Sequence, residues 1–224
     1  MSSKSISRQR QSIRRLPAVA SVPMIIMFVL LMLIFIVYGG RLSLLNFRYE
    51  TIETALVAAL FSGAVYNTDE LANTGNIVIL ESDKNMAGGQ GILPDKVFNA
   101  SYDLFTQCLM ANLGLEADFT MPDGYIIGAV SIDEYRVYNY IVDDGGYHIL
   151  EVGRSAAGYY VVRHPDNTEV YVDANSDRVA VKETSVYAKI SFAMQAAGGS
   201  VMGVGGDVNN YTLTRLIAAK EKQK

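Results

Sequence analysis

The sequence has no tryptophan, one cysteine and two histidines. A single cysteine cannot form an internal disulfide bond, and it cannot supply a zinc site of the CxxC type. A Cys–His nucleophile would have to be built from Cys108 with His148 or His164. This scarcity excludes a disulfide-stapled scaffold and leaves only two possible Cys–His pairs.

Acidic residues are missing from the beginning of the chain, where the first one is Glu50. The first 21 residues instead carry five positive charges, so a net charge of −4 for the whole chain leaves −9 for the remainder. An acidic body of this kind predicts no binding to nucleic acid through a basic face. The five basic residues are Lys4, Arg8, Arg10, Arg14 and Arg15.

Charge is also absent from residues 16–40, and residues 24–38 show no polar face. About 20 apolar residues span a bilayer core, so this run predicts a transmembrane helix that begins near Pro23. The apolar run is longer than that of a cleavable signal peptide, and Val37-Tyr38-Gly39-Gly40-Arg41 is a poor cleavage site. The basic cluster predicts a cytoplasmic N-terminus and a body on the other side of the membrane. The alternative is a soluble protein with an apolar N-terminal helix.

The stretch "RLSLLNFRYETIETALVAALFSGAVYN" continues at helical spacing beyond the span. Its uncharged stripe predicts one long helix, membrane-spanning in its first half and amphipathic in its second, that ends near Tyr66-Asn67. We expect this stripe to contact partner helices. Its interaction candidates are Leu45, Ile52, Leu56 and Ala59.

The body predicts an α+β fold in which a second helix packs on an antiparallel sheet, a pilin-like arrangement. Residues 76–81 predict a strand, and Pro94-Asp95 opens the second helix, which Gly114 caps. From Tyr125 the apolar period changes to two, with hairpin signals at residues 143–146 and 165–167. The stretch "YTLTRLIAA" predicts either a last strand or a short helix. The predicted divisions are a basic cytoplasmic tail (1–21), the transmembrane helix (22–40), the continuing helix (41–67), the extracytoplasmic α+β domain (68–219) and a solvated tail (220–224).

Few motifs indicate chemistry, and neither a catalytic residue nor a cofactor is predicted. Cys108 falls on the apolar side of the second helix, which favours a core position. The stretch "DANSDR" has the spacing of a calcium loop, with candidate ligands Asp173, Asn175 and Asp177. Arg178 stands where an EF-hand loop has glycine, so a polar hairpin turn is the favoured interpretation.

The layout resembles TadE/TadG-like pseudopilins of tight-adherence pilus systems, in the forms found in Firmicutes. The resemblance rests on "RLSLLNFRYETIETALVAALFSGA" after the span and on the late strand "TSVYAKISFAM". It implies a structural or accessory role in a pilus or secretion-assembly apparatus of a Gram-positive cell membrane. Pilins of this class carry a glycine before the apolar run and a glutamate a few residues into it, and "RRLPAVASVPMII" has neither. The resemblance therefore implies an unprocessed accessory component.

Three hypotheses follow for the function. The first is a non-enzymatic, single-pass membrane protein that contacts pilus or secretion subunits through its N-terminal helix, as a homo- or hetero-oligomer. The second is an extracytoplasmic module that binds a ligand, an ion or a wall polymer. The third is a sortase-like enzyme, which requires histidine, cysteine and arginine in that chain order. Cys108 precedes both histidines, so the third hypothesis lacks its chemical basis.

Overall fold

The longest element is helix α1, which runs over 46 residues from Ala18 to Gly63 with Pro23 inside it. The computed structural model describes residues 18–65, 75, 77–79, 95–122, 124–155, 158–174, 177–195 and 208–219. The helix begins before the predicted start, because a proline near a helix start removes only a single backbone bond. It ends at Gly63, and the predicted end at Tyr66-Asn67 lies outside the described residues. The predicted long continuous helix is confirmed.

The chain divides into two compact units, Met1–Leu45 and Asn46–Lys224. In the first unit, every large apolar side chain from Val22 to Tyr38 is at least 44% exposed. The helix is long and apolar enough to cross a membrane, and its most apolar window is not buried in the protein. An apolar helix exposed on all sides is stable in lipid or among other apolar helices. This unit is therefore compatible with a single-pass membrane anchor.

The described part of the second unit contains helix α2 and seven strands in addition to the end of α1. The predicted α+β class and antiparallel sheet are confirmed. The long stretch after Tyr125 forms one strand, and "YTLTRLIAA" lies in a strand rather than in a helix. The elements are α2 (Asp95–Leu113), β1 (Ile126–Asp143), β2 (Gly146–Ser155), β3 (Gly158–Arg163), β4 (Tyr171–Ala174), β5 (Asp177–Ala180), β6 (Ser185–Gln195) and β7 (Val208–Ala218).

Five strands form an antiparallel sheet in the order β3-β2-β1-β6-β7, and β4 pairs with β5 in a separate hairpin. One face of the sheet contributes to the main core with α1 and α2, and the opposite face packs under the β4–β5 hairpin. We call these the helix face and the hairpin face. The register of β1 on β2 places Tyr135 opposite Arg154, and that on β6 places Arg136 opposite Tyr187. Because side chains alternate along a strand, Tyr135 lies on the helix face and Arg136 on the hairpin face.

The end of α1 meets α2 and β1 at a buried hydroxyl pair. The Ser101 hydroxyl donates to the Gly63 carbonyl at 2.7 Å and lies 2.7 Å from the Tyr135 hydroxyl. A Cβ atom at Gly63 would come within 2.4 Å of that tyrosine oxygen, so only glycine permits this close approach. Burial raises the pKa of Tyr135, because its ionised form would lose solvation. The phenol therefore stays protonated and available for the Ser101 contact.

Two local predictions are wrong. Residues 77–79, the described part of the predicted strand 76–81, do not form a strand. They join the domain through side chains instead, since the Ile79 N–H donates to Asn139 Oδ1 at 3.0 Å. Residues 165–167 also do not join β3 to β4 as a hairpin, because β3 pairs with β2 and β4 pairs with β5. The turn still forms, with Asn167 at φ 57° and its side-chain oxygen accepting from the Tyr147 N–H.

The other turn and cap signals are confirmed. Gly114 ends α2 at φ 66°, and the Leu115 N–H donates to the Met110 carbonyl at 2.9 Å. This bond closes the left-handed turn of a Schellman cap. Asp143 pairs with Gly146 at the end of the β1–β2 hairpin. The Asp143 carboxylate accepts from the Gly145 N–H at 3.0 Å, which stabilises the tight turn.

Candidate functional site

Three of the four predicted interaction residues on α1 are not accessible to a partner. Ile52, Leu56 and Ala59 have no exposed area and belong to the main core, while Leu45 is half-buried. The interpretation as a partner-binding stripe is corrected for Ile52, Leu56 and Ala59, because α2 and the sheet of the same chain cover them. For Leu45 it stays a prediction. An apolar helix face predicts burial, but the pattern does not say whether the covering surface belongs to the same chain.

A second uncharged stripe lies on the opposite side of α1. It has a spacing of four and three residues, and its large members Phe47 and Phe61 are 66% and 56% exposed. We call Tyr49, Ile52, Leu56 and Ala59, which pack in the main core, the core stripe. The second stripe begins at Phe47, two residues before Tyr49, so about 200° of helix rotation separates the two stripes. Uncharged residues at alternating steps of three and four are typical of a helix that packs on another helix. We call Phe47, Thr51, Thr54, Ala58 and Phe61 the outer stripe.

A groove of about 330 Å³ follows the outer stripe. Glu50, Ala55 and Asn112 line it together with outer-stripe residues from Phe47 to Ala58. The Thr51 hydroxyl donates to the Phe47 carbonyl at 2.8 Å, so its polar atom is satisfied inside the helix. The groove therefore offers small and apolar surface with one carboxylate at its rim, a suitable surface for a helix with small side chains.

Helix α2 forms the second wall of the groove and is fixed to α1 by hydrogen bonds. The Ser62 hydroxyl is 3.0 Å from the Leu104 carbonyl and 2.7 Å from the Ala59 carbonyl. Asn112 donates to the Cys108 carbonyl at 2.9 Å, which holds its side chain against α2. The sequence pattern alone did not identify the outer stripe, although its spacing is present there, because the core stripe has the stronger apolar character.

The hairpin face carries the largest group of charges in the described part of the second unit. Arg136 pairs with Glu134 and lies 3.4 Å from Glu151, while Lys189 lies 3.8 Å from Glu134. The Arg136 guanidinium also lies 5.6 Å from the centre of the Tyr187 ring. Each charge thus has an opposite charge beside it, as expected for partly buried ionic groups.

Glu151 is the most buried member of this group, with 8% exposure. Besides Arg136, it contacts the Tyr160 hydroxyl at 3.1 Å and His164 Nε2 at 3.0 Å. Tyr160 reaches it across Gly153, where a Cβ atom would come within 2.3 Å of the phenol oxygen. Burial raises the pKa of Tyr160, and the neighbouring Glu151 adds to the rise, although Arg136 opposes it. The phenol therefore remains a hydrogen-bond donor to the carboxylate.

The candidate calcium ligands lie at the rim of a polar cleft beside these charges. Asp173 on β4 and Asp177 on β5 line a space of about 450 Å³ together with Arg136, Arg178 and Lys189. The pairing of β4 with β5 confirms the hairpin interpretation of this stretch. Asn175 lies outside the described residues, and among those described no three His, Cys, Asp or Glu side chains come together as a metal site. The weaker calcium interpretation is not tested by these residues.

The structure places the cysteine and the histidines in separate local environments. Cys108 is half-buried on α2, packs against the main core and accepts from Asn112 Nδ2 at 3.1 Å. His148 lies 3.4 Å from the Asp143 carboxylate, and His164 lies beside Glu151. The predicted core position of Cys108 is consistent with these contacts.

The chain matches no protein-family model, no curated protein and no solved structure. The resemblance to TadE/TadG-like pseudopilins therefore stays a prediction from layout and from the two quoted stretches.

Proposed function

We propose that this chain is a single-pass membrane protein with an extracytoplasmic α+β domain, acting as a pilin-like component of a pilus or secretion-assembly apparatus. Helix α1 carries the proposal, because its first part is apolar and exposed while its last part is built into the core of the second unit. A domain held on a membrane helix in this way serves as a positioned subunit. Its mechanism would be to place the domain at the membrane and to bind neighbouring helices.

The outer stripe supports a helix as the partner. From Phe47 to Phe61 it extends about 21 Å along α1, which is four helical turns. Small residues at Thr54 and Ala58 permit close approach of a second helix, and the two phenylalanines supply apolar contact at the ends. The groove that lies beside the stripe accepts the same occupant. A helix from another pilus or secretion subunit therefore fits this surface.

The charge distribution supports a cytoplasmic N-terminus and a domain on the other side of the membrane. The five basic residues before the apolar run favour retention on the cytoplasmic side, and the acidic body follows on the other side. Arg41 and Arg48 lie after the run but do not balance five charges.

A charge on the outer stripe is expected to remove the helix partners. We expect Thr54→Lys to deplete pilus or secretion subunits from the material that co-purifies with the full chain from native membranes, because the ammonium group cannot be buried against an apolar helix. Thr168→Lys is the matched control, since Thr168 is exposed in the turn after β3. Both variants are expected to keep the thermal unfolding midpoint of the parent chain. An unchanged set of partners for Thr54→Lys, or partners unrelated to any assembly apparatus, would contradict the proposal.

A further inference from the structure

The two edge strands of the five-stranded sheet run in the same direction. Each of the four pairings in the order β3-β2-β1-β6-β7 is antiparallel. Four reversals return the chain to its starting direction, so β3 and β7 are parallel to each other. A second copy displaced sideways, without being turned over, would place its β3 beside β7 of the first copy.

Neither edge carries a lysine, a proline or an unpaired charge that would prevent edge pairing. Proteins protect exposed edges with lysine, proline or inward-pointing charges. Strands β3 and β7 contain no proline, lysine or acid, and each has a single arginine. Both arginines are neutralised within the chain, Arg163 by Asp166 at 3.1 Å and Arg215 by Glu53 at 2.5 Å.

The edges also present apolar side chains. Val161 and Val162 on β3 are 36% and 41% exposed, and Val208 on β7 is 52% exposed. Unprotected strands of this composition pair with another strand through their free main-chain groups. Among the described strands, no partner occupies the outer side of either β3 or β7.

We propose that copies of this chain assemble side by side, with β7 of one copy pairing in parallel with β3 of the next. The choice of this mode rests on the proposed membrane anchorage. An antiparallel β7–β7 pair would require a half-turn about the sheet normal, which reverses the second unit including its part of α1. Parallel pairing of β7 with β3 keeps every copy in the same direction, as anchorage in one membrane requires.

Such a contact uses two different surfaces on each copy. A heterologous contact of this kind continues from copy to copy and gives a ring or an open filament. All copies keep α1 and α2 on the same side of the joined sheet, because no copy is turned over. The outer stripe faces away from the sheet, so this contact leaves it available for helix partners.

Disulfide cross-linking in native membranes tests the pairing in the full chain. Cys108→Ser removes the native thiol, and Val162→Cys is then combined in turn with Asn210→Cys, Thr212→Cys or Thr214→Cys. These positions lie on the hairpin face of β3 and β7, where neighbouring strands bring Cβ atoms within disulfide range in the correct register. We expect at least one double variant to give a ladder of dimers, trimers and larger species on oxidation.

The matched controls separate this mode from others. The single variants are expected to give no ladder. The pair Gln107→Cys with Thr212→Cys is also expected to give none, because Gln107 is exposed on α2 and does not lie on a sheet edge. The ladder is expected to persist in Thr54→Lys, which tests the helix-partner proposal alone. Dimers from Thr212→Cys alone would overturn the parallel mode in favour of β7–β7 pairing. Absence of a ladder in all three double variants would overturn the edge contact and leave the Thr54→Lys result standing.

Discussion

Leu31→Arg with Ile34→Arg is expected to release the protein from the membrane. Both side chains lie within the apolar part of α1 and are 44% and 64% exposed. An arginine at the centre of a spanning helix costs about 2.5–3.5 kcal/mol on insertion scales, so two cost about 5–7 kcal/mol. No other described helix meets the length and hydropathy required for a span, so none of them can replace this anchor.

The measurement is the fraction of protein that stays with membranes after extraction at alkaline pH. The parent chain is expected in the membrane pellet and the double arginine variant in the supernatant. Leu31→Ala with Ile34→Ala is the control, since alanine shortens the side chains without adding charge. Full retention of the arginine variant would show that the segment does not hold the protein in the membrane.

Leu56→Ala is expected to lower the free energy of unfolding of the second unit by about 2–5 kcal/mol. Leu56 has no exposed area and lies in the main core. Removing its three terminal carbons leaves a cavity in the core. The cavity closes only in part, because the Ser101 contacts fix the end of α1 to its neighbours.

Phe61→Ala provides the contrast on the same helix. Phe61 is 56% exposed, so we expect this substitution to change the free energy of unfolding of the second unit by no more than about 0.5 kcal/mol. Urea unfolding of both variants in the same detergent measures the difference. If the two substitutions cost the same, the assignment of a core stripe and an outer stripe to opposite sides of α1 is wrong.

Periodicity predicts much of this fold. The charge-free run and the spacing after it predict α1, and the change of period at Tyr125 predicts the sheet. Gly114 and the turn at residues 143–146 mark element ends by their backbone requirements, and the structure confirms both. These features depend on local geometry, which neighbouring residues in the sequence determine.

The errors concern pairing at long range. Residues 77–79 have the composition of a strand, but their bonds go to Asn139 and Thr184 side chains instead of to a neighbouring strand. The turn at residues 165–167 joins strands that pair elsewhere, because β3 completes the edge of the large sheet. Strand composition predicts an extended segment, whereas the pairing partner depends on the whole sheet.

The interaction surface shows the same limit. The sequence correctly indicates an apolar stripe on α1, yet Ile52 and Leu56 are covered by the same chain. The outer stripe is weaker in apolar character, since Thr51 and Thr54 lie at its centre. Its exposure depends on which side of the helix the same chain covers, and that is decided by tertiary packing.

Membrane anchorage is tested most directly by determining the side of the membrane on which each end of the chain lies. In a Cys108→Ser background, Ser3→Cys and Thr168→Cys are treated in intact cells with a maleimide that does not cross membranes. We expect labelling of the thiol at position 168 in intact cells and of the thiol at position 3 only after the cells are opened. Labelling of position 3 in intact cells, or protection of position 168 until lysis, would contradict a membrane-anchored domain on the outer side.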